Sequence, residues 1–303
     1  MDLDRRVLLR GLAGLAASPI LQPLAAFADT TSERVIPSTG ERIPAVGLGS
    51  WITFNVGDDP TARGECAAVI RAFLEGGGRL IDSSPMYGSS QEVIGDVLTR
   101  LGRPNIFAAT KVWTSGRNAG VAQIEESRQL WRIKRFDLLQ VHNLLSWEDH
   151  LPTLYAIKKA GTLRYVGVTT SHGRRHDELE AVMRREPLDF IQVTYNPIDR
   201  EVEQRILPLA RERRMAVIIN RPFQQGDLIR RVERRPLPAW AREVGATSWA
   251  QLILKFIVSH PSVTCVIPAT TAPAHARENV NAARGAMPDA AMRRKIISAV
   301  EAA

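Results

Sequence analysis

The sequence predicts an α/β protein, a (β/α)8 barrel of the TIM type, on three observations. Apolar runs of four or five residues alternate with longer stretches of helical period from residue 46 to the carboxyl end. There are eight such runs, the number that closes a barrel of about 250 residues. No Gly-rich phosphate loop follows the first run, which argues against a doubly wound dinucleotide-binding sheet.

In chain order, Arg34 to Val46 reads as two short strands around a Thr39-Gly40 turn. The barrel strands are then Val46–Gly49, Leu80–Ser83, Ile106–Thr110, Leu138–Val141, Tyr165–Thr169, Phe190–Thr194, Ala216–Ile219 and Thr264–Ile267. Helical patterns fill 61–76, 90–101, 119–133, 149–160, 174–185, 201–213 and 247–259, with two more at 273–284 and 288–301. No low-complexity linker divides the chain, so residues 29–303 read as one barrel domain.

Composition narrows the partners. Forty Lys plus Arg against 32 Asp plus Glu give a net charge of +8 over 303 residues. Of these cations 34 are Arg and 6 are Lys, and the Arg residues stand singly or in pairs. A surface that tracks a nucleic-acid backbone clusters its cations with interleaved aromatics, so no nucleic-acid partner is expected. Cys66 and Cys265 match no metal spacing and read as buried thiols, and no metal is expected. The amino terminus is different in kind. Arg5-Arg6-Val7-Leu8-Leu9-Arg10 precedes a moderately apolar stretch broken by Pro19 and Pro23, and Ala26-Phe27-Ala28 offers a small-x-small cleavage site. Residues 1–28 resemble a twin-arginine signal, which implies the twin-arginine export machinery as a partner and a periplasmic or otherwise exported protein. If this segment is not a working signal, the protein stays in the cytoplasm. Cleavage there removes three Arg and two Asp and leaves +7, so the basicity belongs to the barrel.

Chemistry in such a barrel sits where strands end. Asp82 ends the second strand, Tyr87 follows on its loop, Lys111 ends the third and His142 the fourth. A tyrosine titrates near pH 10, and a neighbouring ammonium is expected to lower that value and ease proton transfer. Asp82 can hold Lys111, and His142 can hydrogen-bond a substrate oxygen. The set is a proton donor beside an electrophilic hole for a carbonyl becoming an alkoxide. It lacks an electron source, so hydride must come from a cofactor. Trp51, Met86 and Trp113 read as walls of a substrate pocket, with Asn143 a polar member.

Gly47-Leu-Gly-Ser-Trp51, Asp82 to Gly88, Thr110-Lys111-Val-Trp113, Gln140-Val-His142, Gly167-Val-Thr-Thr170, Ile191-Gln192, Arg221-Pro222-Phe223 and Pro268 to Asn279 occur in order at nearly every strand end. In these segments the chain resembles the aldo-keto reductases. The resemblance implies an amino-terminal hairpin closing the barrel floor and Tyr87 as general acid tuned by Lys111 and Asp82. It also implies His142 orienting the carbonyl and NADP(H), favoured over NAD(H), as cofactor without metal. Cofactor contacts would come from Ser50, Trp51, Thr169, Thr170, Gln192, Asn220, Arg221, Pro222, Phe223, Pro268, Ala269, Thr270, Thr271, His275, Glu278 and Asn279.

Several of these depart from the family. Thr169-Thr170 replaces Ser-Asn, Asn220 replaces a stacking tyrosine, and Ala269 and His275 replace the Lys and Arg that grip the 2′-phosphate. Two function classes result. The first is an NAD(P)H-dependent oxidoreductase reducing aldehydes or ketones to alcohols, reversibly. The alternative is a redox-silent nicotinamide-nucleotide-binding barrel acting as sensor or scaffold. Neither the individual carbonyl or alcohol substrate nor the oligomeric state is written in the sequence.

Overall fold

The structure, a computed structural model, describes residues 32–303, so the signal expected on residues 1–28 lies outside the described residues. A hairpin of β1 (Glu33–Val35) and β2 (Arg42–Pro44) opens it. There follow β3 (Leu48–Gly49), α1 (Pro60–Glu75), β4 (Leu80–Asp82), α2 (Ser90–Arg100), β5 (Phe107–Val112), α3 (Arg117–Trp131), β6 (Phe136–Val141) and α4 (Trp147–Lys159). The second half comprises β7 (Leu163–Thr169), α5 (His176–Arg185), β8 (Phe190–Thr194), α6 (Ile206–Glu212), β9 (Ala216–Asn220), α7 (Asp227–Val232), α8 (Trp249–Val258), β10 (Cys265–Val266), α9 (Pro273–Asn281) and α10 (Ala290–Glu301).

Strands β3 to β10 pair in sequence order, each parallel to the next. The seam between the first and last closes through Val46 opposite Val266 and Gly49 opposite Ala269. Gly47 N donates to Val266 O at 2.8 Å and Gly49 N to Pro268 O at 3.0 Å. Helices start where their caps say. Asp59 accepts from Thr61 N and Ala62 N before α1, Ser248 from Gln251 N before α8, and Asp289 from Met292 N before α10. Most boundaries fall within three residues of the expected ones, and two elements differ more. The pattern over 201–213 splits into a tight turn at Glu201–Glu203 and α6, because Arg205 leaves helical backbone at φ −133°. The short helix α7 was not anticipated, since its six residues, half of them charged, carry too little periodicity to read.

Two cores hold the barrel. Helices pack on its outside over a large apolar layer that includes Phe73, Trp131 and Phe256, each 1% exposed or less. Inside, alternate residues of each strand point at the axis. Leu80, Phe107, Ala109, Leu138, Tyr165, Phe190, Ala216 and Ile218 fill it, with Ile36 and Ile43 plugging it from the hairpin. The Phe107, Tyr165 and Phe190 rings pack with centroids 5.3–6.0 Å apart. The Tyr165 hydroxyl lies 2.8 Å from Thr39 Oγ1 and donates to Glu41 Oε2 at 2.6 Å. Arg164 pairs with Glu41 and with Asp137, at 2.7 Å to the latter. The hairpin is thereby fastened across the amino-terminal end of the barrel.

Candidate active site

The same inward alternation that fills the axis with apolar side chains changes character at the carboxyl ends of the strands. Asp82 stands two residues beyond Leu80, Lys111 two beyond Ala109, Gln140 two beyond Leu138 and Gln192 two beyond Phe190. Parallel register sets Lys111 opposite Gln140, and Thr169 opposite Gln192. A polar layer therefore caps the apolar one. Gly167 makes room for it, since a Cβ there would stand 2.7 Å from Phe190 O and 3.2 Å from Gln140 Cγ.

Lys111 and Asp82, 0% and 2% exposed, form a direct ion pair. Lys111 Nζ also donates to Ser83 O at 2.8 Å. The second carboxylate oxygen of Asp82 accepts from Gln140 Nε2 at 3.3 Å and from Gln192 Nε2 at 3.1 Å. Burial pushes the Asp82 carboxyl up, and Lys111 with the two amides pulls against it. Burial is the largest influence on Lys111 and opposes its charge, but Asp82 and Tyr87 together outweigh it and hold the ammonium above the ordinary lysine value. The ion pair is thus fixed and dry.

Tyr87 reaches this pair from a tight turn, Pro85–Tyr87, which Ser84 caps by accepting from Met86 N at 3.3 Å. Gly88 follows at φ +59°, and the Asn55 side chain occupies the space a Cβ would need. Asn55 Oδ1 in turn accepts from Ser89 N at 3.0 Å. Lys111 Nζ lies 5.1 Å from the Tyr87 ring centroid, and the His142 ring stands edge-on at 5.8 Å. The sequence reading expected Lys111 to lower the Tyr87 pKa. It does pull that way, but burial of the hydroxyl is the larger effect and the net direction is upward. Tyr87 is therefore a resting proton donor, not a resting phenolate. His142 Nδ1 lies 2.9 Å from Ser84 Oγ. Burial, aided by Lys111, holds its pKa well below the usual value, so the imidazole is neutral at neutral pH.

These groups open into a cavity of about 390 Å³. Ser50, Trp51, Asp82, Met86, Tyr87, His142, Asn143, Gln192, Asn220, Arg221, Pro222, Phe223 and Ala269 line it. Lys111 sits behind this surface, fully buried. Of the other residues named from sequence, Trp113 is 40% exposed and does not line the cavity. Its backbone is held instead by the Gln123 amide, which donates to its carbonyl at 3.0 Å and accepts from its N–H at 2.6 Å. Thr169 and Thr170 are buried beside the mouth, where Thr169 Oγ1 accepts from Asn143 N at 2.9 Å. Ser50 Oγ donates to Asp82 O at 2.9 Å. Asn220 accepts from Thr194 Oγ1 at 2.7 Å and donates to Thr170 O at 2.9 Å. Pro268 and Ala269 belong to the seam, Thr270 and Thr271 line a separate hollow of about 40 Å³, and His275, Glu278 and Asn279 lie on α9 away from the main cavity.

Some lining residues escaped the sequence reading. Ile52 and Thr53 follow β3, Ser171 and His172 follow β7, and Gln225 and Gly226 follow β9. The supporting roles of Ser84 and Gln140, which stand in the quoted segments, were not read from them, and Asn55 was not singled out at all. A polar residue two places past the last apolar inward position is the signal that marks Gln140; the loops offer no such period.

The set fits a nicotinamide nucleotide on two observations. Thr170 Oγ1, one residue before the cavity-lining Ser171, is buried without a hydrogen-bond partner among the described residues, a polar group left for a ligand to satisfy. The loop after β9 holds Arg221, Gln224, Gln225 and Gly226 at positive φ, a strained backbone of the kind kept at ligand sites.

Comparison with known proteins agrees with this chemistry. The aldo/keto reductase family pattern matches residues 45–295. Among curated relatives, the methylglyoxal reductase YeaE of Escherichia coli is 27% identical over 255 residues, spanning 82% of this chain and 88% of its own. The aldo-keto reductase YhdN of Bacillus subtilis is 30% identical over 200 residues, 61% of this chain and 60% of its own. Among solved structures, the holo form of aldo-keto reductase AKR11C1 from Bacillus halodurans has the same fold, with TM-score 0.74 at 22% identity over 90% of this chain and 98% of its own. An aldo/keto reductase from Klebsiella pneumoniae in complex with NADP and acetate has TM-score 0.73 at 23% identity over 87% and 95%. The chain belongs to the aldo/keto reductase family.

Proposed function

We propose that this NAD(P)H-dependent carbonyl reductase acts on small aldehydes and ketones, with NADPH preferred to NADH, and that it works after export through the twin-arginine route. The observation that carries the chemistry is the pairing at the mouth: Asp82 is spent on Lys111, so the Tyr87 hydroxyl is left for substrate.

Bound nicotinamide supplies the hydride. Tyr87 donates its proton to the oxygen that becomes the alcohol, and Lys111 stabilises the phenolate left behind. Asp82, gripped by two amides, fixes Lys111 against drift. Ser84 Oγ, which accepts from Met86 N, has its own proton to give to Nδ1; in that tautomer neutral His142 carries its proton on Nε2 and would present it to the carbonyl oxygen. Thr170, Gln192 and Asn220 would hold the nicotinamide amide, and the loop of Arg221 to Gly226 the phosphates.

NADPH is supported by the NADP-bound Klebsiella relative, and the absence of cations at Ala269 and His275 makes the preference small. Two Escherichia coli relatives are named methylglyoxal reductases, which makes methylglyoxal the first substrate to try. The test follows NADPH and NADH oxidation with methylglyoxal and simple aldehydes. Turnover that Tyr87→Phe abolishes supports the reading; no turnover, or an unchanged rate in that variant, overturns it. For export, residues 1–28 fused to a reporter should carry it to the periplasm, and Arg5→Lys/Arg6→Lys should leave it in the cytoplasm.

A further inference from the structure

His142 is held by its ring and by its backbone, and the two holds come from different loops. Ser84, in the loop after β4, lies 2.9 Å from the ring Nδ1. The backbone is held from the loop after β7, through the residue that follows His142. Asn143 stands in the left-handed region at φ +52°, ψ +32°, with Leu144 at φ +55° and Ser146 at φ +49°. Asparagine tolerates that region, but leucine is strained in it. Burial of the Leu144 side chain and three contacts from one loop keep this turn in shape. Asn143 N donates to Thr169 Oγ1 at 2.9 Å, its Oδ1 accepts from Ser171 Oγ at 3.2 Å, and its carbonyl accepts from Arg175 Nη1. The first of these fixes the peptide between His142 and Asn143, and the third fixes the next peptide. Two consecutive peptide planes are set, and with them the direction in which the His142 side chain leaves the chain. Leu145 N closes the turn by donating to His142 O at 3.1 Å. Arg175 reaches Asn143 with its aim already fixed. Its Nε and Nη2 grip the two oxygens of Glu178 at 2.7 and 2.6 Å, and Glu178 belongs to the first turn of α5. The guanidinium is therefore a strut from that helix to the turn after β6.

We infer that Arg175 is a positioning residue for His142: anchored by Glu178, it locks the Asn143 peptide and so holds the imidazole at the substrate carbonyl. The inference rests on the proposed carbonyl reduction and adds to its machinery a residue outside the cavity. Asn143 lines the cavity and Arg175 does not, so Arg175 acts through the turn and not on substrate. The Arg175–Glu178 pair is exposed, and its removal leaves the barrel folded.

The experiment is a double-mutant cycle on kcat with butanal, using Arg175→Ala, His142→Ala and the two together, with NADPH affinity read separately by nucleotide fluorescence. Arg175→Ala should lower kcat about tenfold and leave NADPH affinity as it was, because small displacements of an orienting group are costly. In the His142→Ala background the same change should cost nothing further, since the group it positions is gone. An undiminished kcat in Arg175→Ala, a full tenfold loss added to that of His142→Ala, or a loss of NADPH affinity would overturn the assignment. Arg184→Ala removes a different ion pair from α5 and should leave kcat unchanged. A loss there equal to that of Arg175→Ala would show a loosened helix and overturn it too. The ring signal of His142 in protein carrying 13C-labelled histidine, assigned by its absence in His142→Ala, reads the same question without turnover. It should move in Arg175→Ala and stay in Arg184→Ala, and an unmoved signal in Arg175→Ala overturns the assignment. Should no aldehyde be reduced while the signal moves as expected, carbonyl reduction fails and the strut stands.

Discussion

The two ends of the barrel carry the same three kinds of side chain and use them oppositely. At the floor a tyrosine, a cation and a carboxylate meet as Tyr165, Arg164 and Glu41; at the mouth they meet as Tyr87, Lys111 and Asp82. Even the spacing is alike, since the Arg164 guanidinium lies 5.3 Å from the Tyr165 ring centroid and Lys111 Nζ 5.1 Å from that of Tyr87. What differs is who holds the carboxylate. At the floor Tyr165 donates to Glu41, which, with burial as the larger cause, pushes its pKa up to about 12. The proton has a permanent acceptor and the group is structural. At the mouth the Asp82 carboxylate accepts from Lys111 and two amides, and among the described residues no carboxylate accepts from Tyr87. Residue type does not make a catalytic site; a hydroxyl whose proton no carboxylate takes, beside a committed ion pair, does.

The comparison can be broken in four ways. The largest effect is expected from Tyr87→Phe, which should lower kcat by about 10²–10⁴-fold with the melting temperature unchanged. Tyr165→Phe should do the reverse, leaving kcat alone, and a fall in kcat there would erase the distinction between the ends. Next in size, Lys111→Met leaves Asp82 buried with no counter-charge and should cost about 3–5 kcal/mol in urea unfolding. The double change Asp82→Asn/Lys111→Met should recover part of that loss without restoring activity. Tyr165→Phe itself removes a buried donor from Glu41 and should cost about 1–3 kcal/mol in the same measurement. The smallest expected effect is on the pH profile. Tyr87 must be protonated to act, and its pKa lies above the ordinary 10.0, so reduction is lost only as pH rises past that value. His142 must be neutral, and it charges only well below 6.5. The rate of reduction at saturating substrate should therefore stay flat from about pH 7 to 9, and a step within that range would show that one of the two groups is not shielded as described.

The barrel was legible because its strands are buried on both faces and read as short apolar runs, from Leu80 onward within a residue or two of where they stand. The strand ends also pointed to Asp82, Lys111 and His142, polar residues closing apolar runs. Distance in sequence hid the rest. That Gln140 and Gln192 meet Asp82 depends on register between strands 58 and 110 residues away. The upward shift of Tyr87 comes first from burial of its hydroxyl, which depends on how the loop seats it, and the packing of Asn55 against Gly88 in that loop has no sequence period.

The seam adds a matter of timing. Val46 waits for Val266, and Gly49 for Ala269, so the first barrel strand has no partner on one side until nearly the whole chain has been made. Joining segments so remote in sequence is entropically slow, and closure is the late event of folding. Until then β3 and β9 are bare strand edges open to copies of the same chain, a hazard that ends when residues 265–269 dock. A chain shortened before residue 265 would keep its hairpin, its Tyr87 and its ion-pair residues, and would lack the strand that turns a curved sheet into a barrel.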